Sequence, residues 1–246
     1  MKLLVCISKT PETTAKITFT DDNKEFKKEG VQFIMNPYDE WYALVRALEL
    51  KESKGGTVTV LNVGSSANDI IIRKGLALGA DDAVRIDIDP KSAYATATQI
   101  AEYAKDNAYD IIFFGKETID YNGSEVGAIV AEKLNLPFAS YVSNLDFDGE
   151  KAVVSRDIEG GIEISEVSGP FVLSAAKGLA EQRIANMKGI MMSKRKPLIV
   201  VPPIDIEDPV SIASYSIPIG KSGVKMIDPE NMDELVRLLH EEAKVI

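Results

Sequence analysis

The chain has 246 residues, 45% hydrophobic and 27% charged, enough for one large core or two small ones. A formal net charge of -10 argues against a general nucleic-acid-binding surface, and the single cysteine, Cys6, excludes an internal disulfide and suits an intracellular chain. No apolar run is long enough to span a membrane, and Lys2 is followed by only five apolar residues before Ser8, so a soluble cytoplasmic protein without membrane insertion is expected.

In chain order, Leu3–Ile7 is a continuous apolar run that suits a strand buried on both faces. Two alternating segments near 16–19 and 31–34 suggest a hairpin. Asn36-Pro37 then opens a helix, with Asn36 as cap, Pro37 in the first turn, and Asp39 and Glu40 complementing the dipole. Trp41, Leu44, Val45 and Leu48 share one face of it. Thr57–Val63 reads as a strand ending at Gly64, followed by a helix capped by Asn68 and stopped by Gly79. A short strand at Ala83–Ile86, an Ala-rich helix at Ala93–Ala104 and a strand at Ile111–Phe114 complete four strand–helix units.

That alternation predicts an α/β fold, a doubly wound and mostly parallel sheet of Rossmann-like type. Ligands in such sheets bind beyond the carboxyl ends of the strands. Three ends meet there: Cys6-Ile7-Ser8, Asn62-Val63-Gly64 and Phe114-Gly115-Lys116. After the last of them comes a polar loop, Asp120 to Ser124, and apolar periodicity resumes at Val126, Ile129, Val130 and Leu134. A strand–loop–helix junction gathers free N–H groups and a positive dipole end, which suits a phosphate. An ordinary connecting loop has the same outline.

Beyond Pro137, Ala139–Phe147, Ala152–Asp157, Ile162–Val167 and Phe171–Ala175 read as added antiparallel strands, with turns at Asp148-Gly149 and Gly160-Gly161. Arg183–Lys196 carries five basic residues, three methionines and no acid, a reversal of sign that suits adaptable contact with an acidic partner. The alternative is a solvated helix with Met191 or Met192 in the core. From Pro197 the chain is Pro-rich and extended. It ends in an amphipathic helix capped by Asp228, so residues 1–200 read as the core domain and 201–246 as an arm that wraps a partner or packs on its own chain. The lone His240 is placed on the polar face of that helix, which leaves no basis for a zinc site or a Ser-His-Asp triad. No catalytic residue is assigned. Cys6, in a buried strand with no neighbouring histidine, reads as core or backbone contact.

Several segments together resemble the beta (small) subunit of electron transfer flavoprotein: MKLLVCISK, GVQFIMNPYDE, RKGLALGADDAVRI, GKETIDYNGSEVG, RDIEGGIE and RIANMKGIMMSKRKPL, in the family's order over about the first two hundred residues. The resemblance implies a heterodimer with a larger alpha subunit that holds most of an FAD. It implies an electron carrier, not an enzyme, running from flavin dehydrogenases to a membrane-bound quinone reductase or another acceptor, with fatty acid oxidation as a usual setting. It further implies an AMP at the strand ends of the beta subunit; in one branch a second FAD, used for bifurcation from NADH, stands there instead. Carried over by position, the nucleotide contacts are Cys6, Ser8, Asn36, Pro37, Tyr38, Asp39, Val63, Gly64, Asp120, Tyr121, Asn122, Gly123, Ser124, Glu125, Val126 and Gly127. Tyr38 falls where the family puts an aromatic near the flavin. The partner-recognition loop corresponds to Arg183, Met187, Lys188, Ile190, Met191, Lys194, Arg195 and Lys196, with Met187 where a leucine usually anchors a dehydrogenase.

Three positions depart from the family pattern. Ser124-Glu125-Val126-Gly127 replaces Asn-Gln-Thr-Gly, Thr13 stands where one branch has a flavin-packing Tyr, and Met187-Lys188 replaces Leu-Pro. The Val-Gly ending is nearer the bifurcating branch, but Tyr121-Asn122 does not match that branch's Gly-Asp loop start, so AMP is the expected occupant. Independently of the family, a nucleotide sensor or hydrolase of the same architecture is the competing reading. Neither a Gly-x-x-x-x-Gly-Lys-Ser/Thr sequence nor a dense Asp cluster supports it.

Overall fold

Apolar runs alternating with amphipathic segments commit the chain to a sheet covered on both faces. The computed structural model describes residues 1–20, 22–148, 150–220 and 223–246. In chain order the elements are β1 (Lys2–Cys6), β2 (Lys9–Pro11), β3 (Phe33–Met35), α1 (Asp39–Lys54), β4 (Thr57–Val63), α2 (Asp69–Leu78) and β5 (Asp82–Ile86). Then follow α3 (Ala93–Lys105), β6 (Ile111–Gly115), α4 (Val126–Leu134), β7 (Phe138–Phe147), β8 (Lys151–Ile158), β9 (Gly161–Ser168) and β10 (Phe171–Ala175). The last are α5 (Met187–Ser193), β11 (Leu198–Val201) and α6 (Met232–Arg237).

Among the described residues, nine strands form one sheet in the order β11-β5-β4-β1-β6-β10-β7-β8-β9. From β11 to β7 every pairing is parallel; β7, β8 and β9 are antiparallel. Strand residues alternate between two cores. Leu3, Val5, Ile111, Phe113, Phe171 and Leu173 pack with Leu44 and Leu48 of α1 and Ile72 and Leu76 of α2. Leu4, Cys6, Ile112, Phe114 and Val172 pack with Ile100 and Ala104 of α3 and Val130 and Ala131 of α4. This is the doubly wound arrangement expected from the sequence.

Several local expectations are corrected. β3 pairs with β2 at Lys9–Pro11, not with residues 16–19, where Phe19 makes a single bridge to Phe26. The helix after Pro37 starts at Asp39, because Tyr38 reverses the backbone at φ 65° and Asn36 spends its amide elsewhere. The Asn68 side chain caps no helix; its Nδ2 donates to Asn62 Oδ1. β10 is not an antiparallel addition: it lies between β6 and β7, parallel to both, and all five of its residues are buried. Its largely apolar run, broken only by Ser174, is what a strand covered on both faces requires. The β8–β9 turn is Glu159-Gly160, since Gly161 already pairs with Ile158. Gly149 of the other expected turn lies outside the described residues, while Asp148 Oδ1 accepts the backbone N–H groups of Glu150 and Lys151. Asn231, not Asp228, caps the last helix by accepting from the Glu234 N–H at 3.3 Å. Leu198–Val201 of the Pro-rich segment is a sheet strand on β5.

The strand ends are tied laterally by buried polar groups. Asn62 Nδ2 donates to the Ile7 carbonyl at 2.8 Å while its Oδ1 accepts from Asn68 at 2.9 Å, joining β1, β4 and the approach to α2. Buried Arg85 bonds the Gly64 carbonyl and pairs with Asp69 and Asp87. Replacing Asn62 by Leu leaves two buried partners unpaired and is expected to lower stability by about 2–5 kcal/mol in urea denaturation. A change within about 0.5 kcal/mol would mean that the strand ends hold without it.

Candidate functional site

The chain leaves β1 for β4 and β5 on one side, then returns to β6 and β10 on the other, so the topological switch lies between β1 and β6. In such sheets the crevice beyond the carboxyl ends at that point is the ligand position. Its floor is the start of α1. A Cβ on Gly115 would stand 2.8 Å from the Glu40 backbone nitrogen and 3.1 Å from Asp39 Cβ, so only glycine lets α1 approach the end of β6 this closely.

The first turn of α1 carries two acids, and the Glu40 carboxyl reaches back to the end of β1. The Ser8 backbone N–H donates to Glu40 Oε2 at 2.7 Å, and the Ser8 hydroxyl bonds Oε1. Burial, with help from Asp120 and Asp39, pushes the Glu40 carboxyl up to about 8 against the Ser8 bonds that favour the anion. Burial also pushes Asp39 up to about 6, opposed by the charge of Lys116. Burial and the Glu40 carboxyl raise the Cys6 thiol well above its ordinary value.

The N-terminus of α4 likewise has no side-chain cap but carries no acid in its first turn, and among the described residues the N–H groups of Val126, Gly127 and Ala128 donate to no protein acceptor. Immediately before it, Asn122 and Ser124 hold left-handed backbone angles, φ 50° and 54°, on either side of Gly123. Successive N–H groups in such a turn form an anion-binding concavity. Among the described residues, the N–H groups of Gly123, Ser124 and Glu125 donate to no protein acceptor. Tyr141 Oη donates to the Ser124 hydroxyl at 3.3 Å. Against an anion stands Glu125: a Cβ on Gly123 would lie 3.0 Å from its Oε1, so the carboxylate folds over the loop. The nearby cation is Lys116, 3.2 Å from Glu117 and 6.0 Å from the Tyr141 ring centre.

Asn36 ties this loop to β1. It is fully buried; its Nδ2 donates to the Glu117 carbonyl and its Oδ1 accepts from the Ile119 N–H, each at 3.0 Å, while its backbone N–H donates to the Ser8 carbonyl. Cys6, Ser8, Asn36, Asp39, Val63, Gly64 and the 120–127 loop thus stand along one edge of the sheet. Tyr38, 57% exposed and strained by its positive φ, projects from that edge. Tyr121 leaves the loop in another direction: its hydroxyl lies 3.1 Å from that of Tyr215, whose ring stacks on Phe19. Sequence reasoning missed Glu40 as a buried group, Tyr141, and Tyr215. The signal for Glu40 was two adjacent acids before a fully apolar helix face; nothing local marked the other two.

The basic, Met-rich segment divides into anchors and an exposed face. Arg183 makes a two-pronged pair with Glu52 at 2.6 and 3.0 Å, and its carbonyl accepts from Trp41 Nε1. Lys196 reaches the Leu76 and Ala80 carbonyls at the end of α2, and Arg73 of α2 returns bonds to the Ser193 and Lys196 carbonyls. A Cβ on Gly189 would meet the Ala77 carbonyl oxygen at 2.3 Å, which fixes α5 tightly on α2. Lys188, Lys194 and Arg195 remain exposed around Met187, Ile190, Met191 and Met192. Met187 is 74% and Met191 68% exposed, so neither these nor Met192 belongs to the core. His240 is also exposed, with Nδ1 3.0 Å from the Ile246 carbonyl. Lys196→Ala is expected to cost about 1–3 kcal/mol in chemical denaturation, because charged hydrogen bonds to helix-end carbonyls are lost. Lys194→Ala and Arg195→Ala should stay within about 0.5 kcal/mol of the parent. Equal effects at all three positions would contradict the division into anchors and face.

Comparison with known proteins gives one family. Residues 25–206 match the model of the electron transfer flavoprotein domain. An electron transfer flavoprotein subunit beta of Bacillus subtilis is 34% identical across the whole of both chains. One from Syntrophomonas wolfei is 36% identical over 93% of this chain and 90% of its own. The mouse subunit beta is 30% identical over all of this chain and 99% of its own. The chain therefore belongs to the electron transfer flavoprotein family, among its beta subunits, and its role is electron transfer.

Proposed function

We propose that this chain is the beta half of a heterodimer in which a larger alpha subunit holds most of an FAD. In this reading the chain carries a structural AMP in its own crevice and passes electrons from flavin dehydrogenases to a quinone reductase or other acceptor. The observation that carries the nucleotide assignment is the contrast between two helix ends at one crevice. Neither end has a side-chain cap, but the first turn of α1 carries Asp39 and Glu40, whereas that of α4 carries no acid and follows a left-handed turn. The phosphate goes to Gly123, Ser124 and the N–H groups up to Gly127. The adenine lies toward Cys6 and Val63, whose strand ends offer backbone groups and apolar walls.

The donor set fits a monophosphate. It offers backbone N–H groups and the Ser124 hydroxyl, with Glu125 and Asp120 on the rim and Lys116 partly committed to Glu117. Further phosphate groups would meet those carboxylates. The redox chemistry belongs to the flavin when it is bound. This chain's part is to wall the flavin with Tyr38 and the turn containing Thr13, and to dock partners through the α5 face. Exposed Met187 and Met191, flanked by Lys188, Lys194 and Arg195, suit an acidic partner with an apolar pocket. Ile217, Ile219, Val224 and Met226, exposed in the C-terminal arm, are assigned to the alpha subunit.

Co-expression with the alpha partner, heat release and identification of the bound small molecules test the reading. One FAD and about one AMP per heterodimer are expected. Two FAD and no AMP would transfer the chain to the bifurcating branch, and an intact heterodimer without flavin would refute the proposal. For the docking face, Met187→Ala should lower the rate of dehydrogenase-driven flavin reduction severalfold while flavin content and stability hold. An unchanged rate would remove Met187 from the interface.

A further inference from the structure

Among the described residues, Tyr141 is the one non-glycine residue inside a sheet strand that holds a positive φ, 57°. For an aromatic side chain this is an outlier that persists only where its surroundings impose it. They do so here. β7 slips register beside Tyr141 in both of its ladders, against β10 between Leu173 and Ala175 and against β8 between Val142 and Asn144. The Tyr141 N–H donates to Ser174 Oγ at 2.9 Å. Ser174 is 4% exposed and is the single polar residue of β10, so this bond gives its hydroxyl a partner in an otherwise apolar strand. A bulge of this kind re-aims a side chain. The Tyr141 side chain is left 44% exposed, so core packing does not account for the strain. What the side chain gains is position: its Oη donates to the Ser124 hydroxyl at 3.3 Å, and Lys116 Nζ stands 6.0 Å from the ring centre. Ser124 itself sits at φ 54° in the turn before α4.

We infer that Tyr141 is a positioning residue of the proposed anion turn: its hydroxyl orients the Ser124 hydroxyl toward the phosphate, and its ring keeps the Lys116 ammonium beside the turn. This rests on the nucleotide reading given above, which supplies the phosphate. With Tyr141 donating into one lone pair of Ser124 Oγ, the Ser124 O–H is free to point outward, and a hydroxyl that accepts one hydrogen bond donates a stronger one. An ammonium over an aromatic face is held without spending a hydrogen bond. Lys116 therefore has donors left for an anion beyond the one directed to Glu117. Backbone N–H groups of the turn serve any anion that fits; these two side-chain donors are what Tyr141 adds to them.

The test is the affinity of the heterodimer, freed of bound nucleotide, for AMP and for adenosine. Tyr141→Phe keeps the ring and removes the hydroxyl. It should weaken AMP about three- to tenfold, while adenosine, which has no phosphate, binds as it does to the parent. Ser124→Ala should weaken AMP as well, and Tyr141→Phe added to it should cost nothing further, because the hydroxyl acts through Ser124. Equal losses for AMP and adenosine, or losses that multiply in the double variant, overturn the inference. Tyr141→Leu removes ring and hydroxyl together. It should weaken AMP beyond the Phe variant, with the excess shrinking as salt rises, since the added loss is that of Lys116. A Leu variant equal to the Phe variant overturns the part given to the ring. The hold on the turn has a readout that needs no nucleotide. In the nucleotide-free protein a glutamate-specific protease should cut after Glu125 severalfold faster in Tyr141→Phe than in the parent, and Ser174→Ala should speed it likewise by releasing the Tyr141 N–H. A parent that binds neither AMP nor adenosine would refute the nucleotide reading. Faster cleavage would then sustain the hold of Tyr141 on the turn, and unchanged cleavage overturns it in either case.

Discussion

The contact between the start of α1 and the ends of β1 and β6 governs the rest of this molecule. Gly115 admits the helix to the end of β6, and Glu40 accepts the Ser8 N–H at 2.7 Å from the end of β1. The topological switch is thereby closed at its floor. A helix following the first strand of a doubly wound sheet is ordinarily the phosphate helix, but here its first turn brings two carboxyls of its own. The first turn of α4, by contrast, carries no acid. Asn36 carries the same constraint outward: it holds residues 117 and 119 with both ends of one amide, so the loop leading to α4 is fixed from β3 and not from its own helix.

The alternation of buried runs and amphipathic segments was legible because each central strand is covered on both faces and each helix on one. Thr57–Val63, Asp82–Ile86 and Ile111–Gly115 stand within a residue of where their composition ends. What was not legible depends on contacts between distant positions. The partner of β3 is Lys9–Pro11, separated from it by more than twenty residues of turn and bridge, and alternation near residue 17 gave a closer but false candidate. β10 looked like one more strand of a meander, whereas it pairs in parallel with β6 and β7, partners distant in sequence that no local pattern records. The capping residues misled for one shared reason. Asn36, Asn68 and Asp228 were read as caps from their sequence neighbours, but Asn36 and Asn68 spend their amides on tertiary bonds and Asp228 accepts from Glu230.

The α5 segment shows how charge counting overstates a surface. Five basic residues within Arg183–Lys196 suggested one cationic patch. Arg183 and Lys196 instead secure the two ends of the segment to α1 and α2, and they do so with hydrogen bonds that fix direction as well as charge. Three cations are left at the rim of an apolar, methionine-rich centre. That arrangement, an anchored back and an adaptable front, allows a short helix of seven residues to keep its shape while presenting flexible side chains.

The same logic links the two ends of the proposed site. The loop after β6 is held from one side by Asn36 and from the other by Tyr141 and Tyr121, the second of which meets Tyr215 of the C-terminal arm. The arm reaches that point after pairing Ile204 with Gln99 of α3 and Asp208 with Ser92. A chain that closes its own loop with a segment far along its sequence couples the fate of the loop to whatever the arm contacts next. Beyond Tyr215 the arm turns apolar side chains, Ile217 and Ile219 among them, to solvent. Burial of those residues by a second subunit would tighten the Tyr215–Tyr121 contact and hold the loop in its left-handed turn. Loop order and subunit assembly are then two expressions of one packing, and Glu40 sets the floor on which that packing rests.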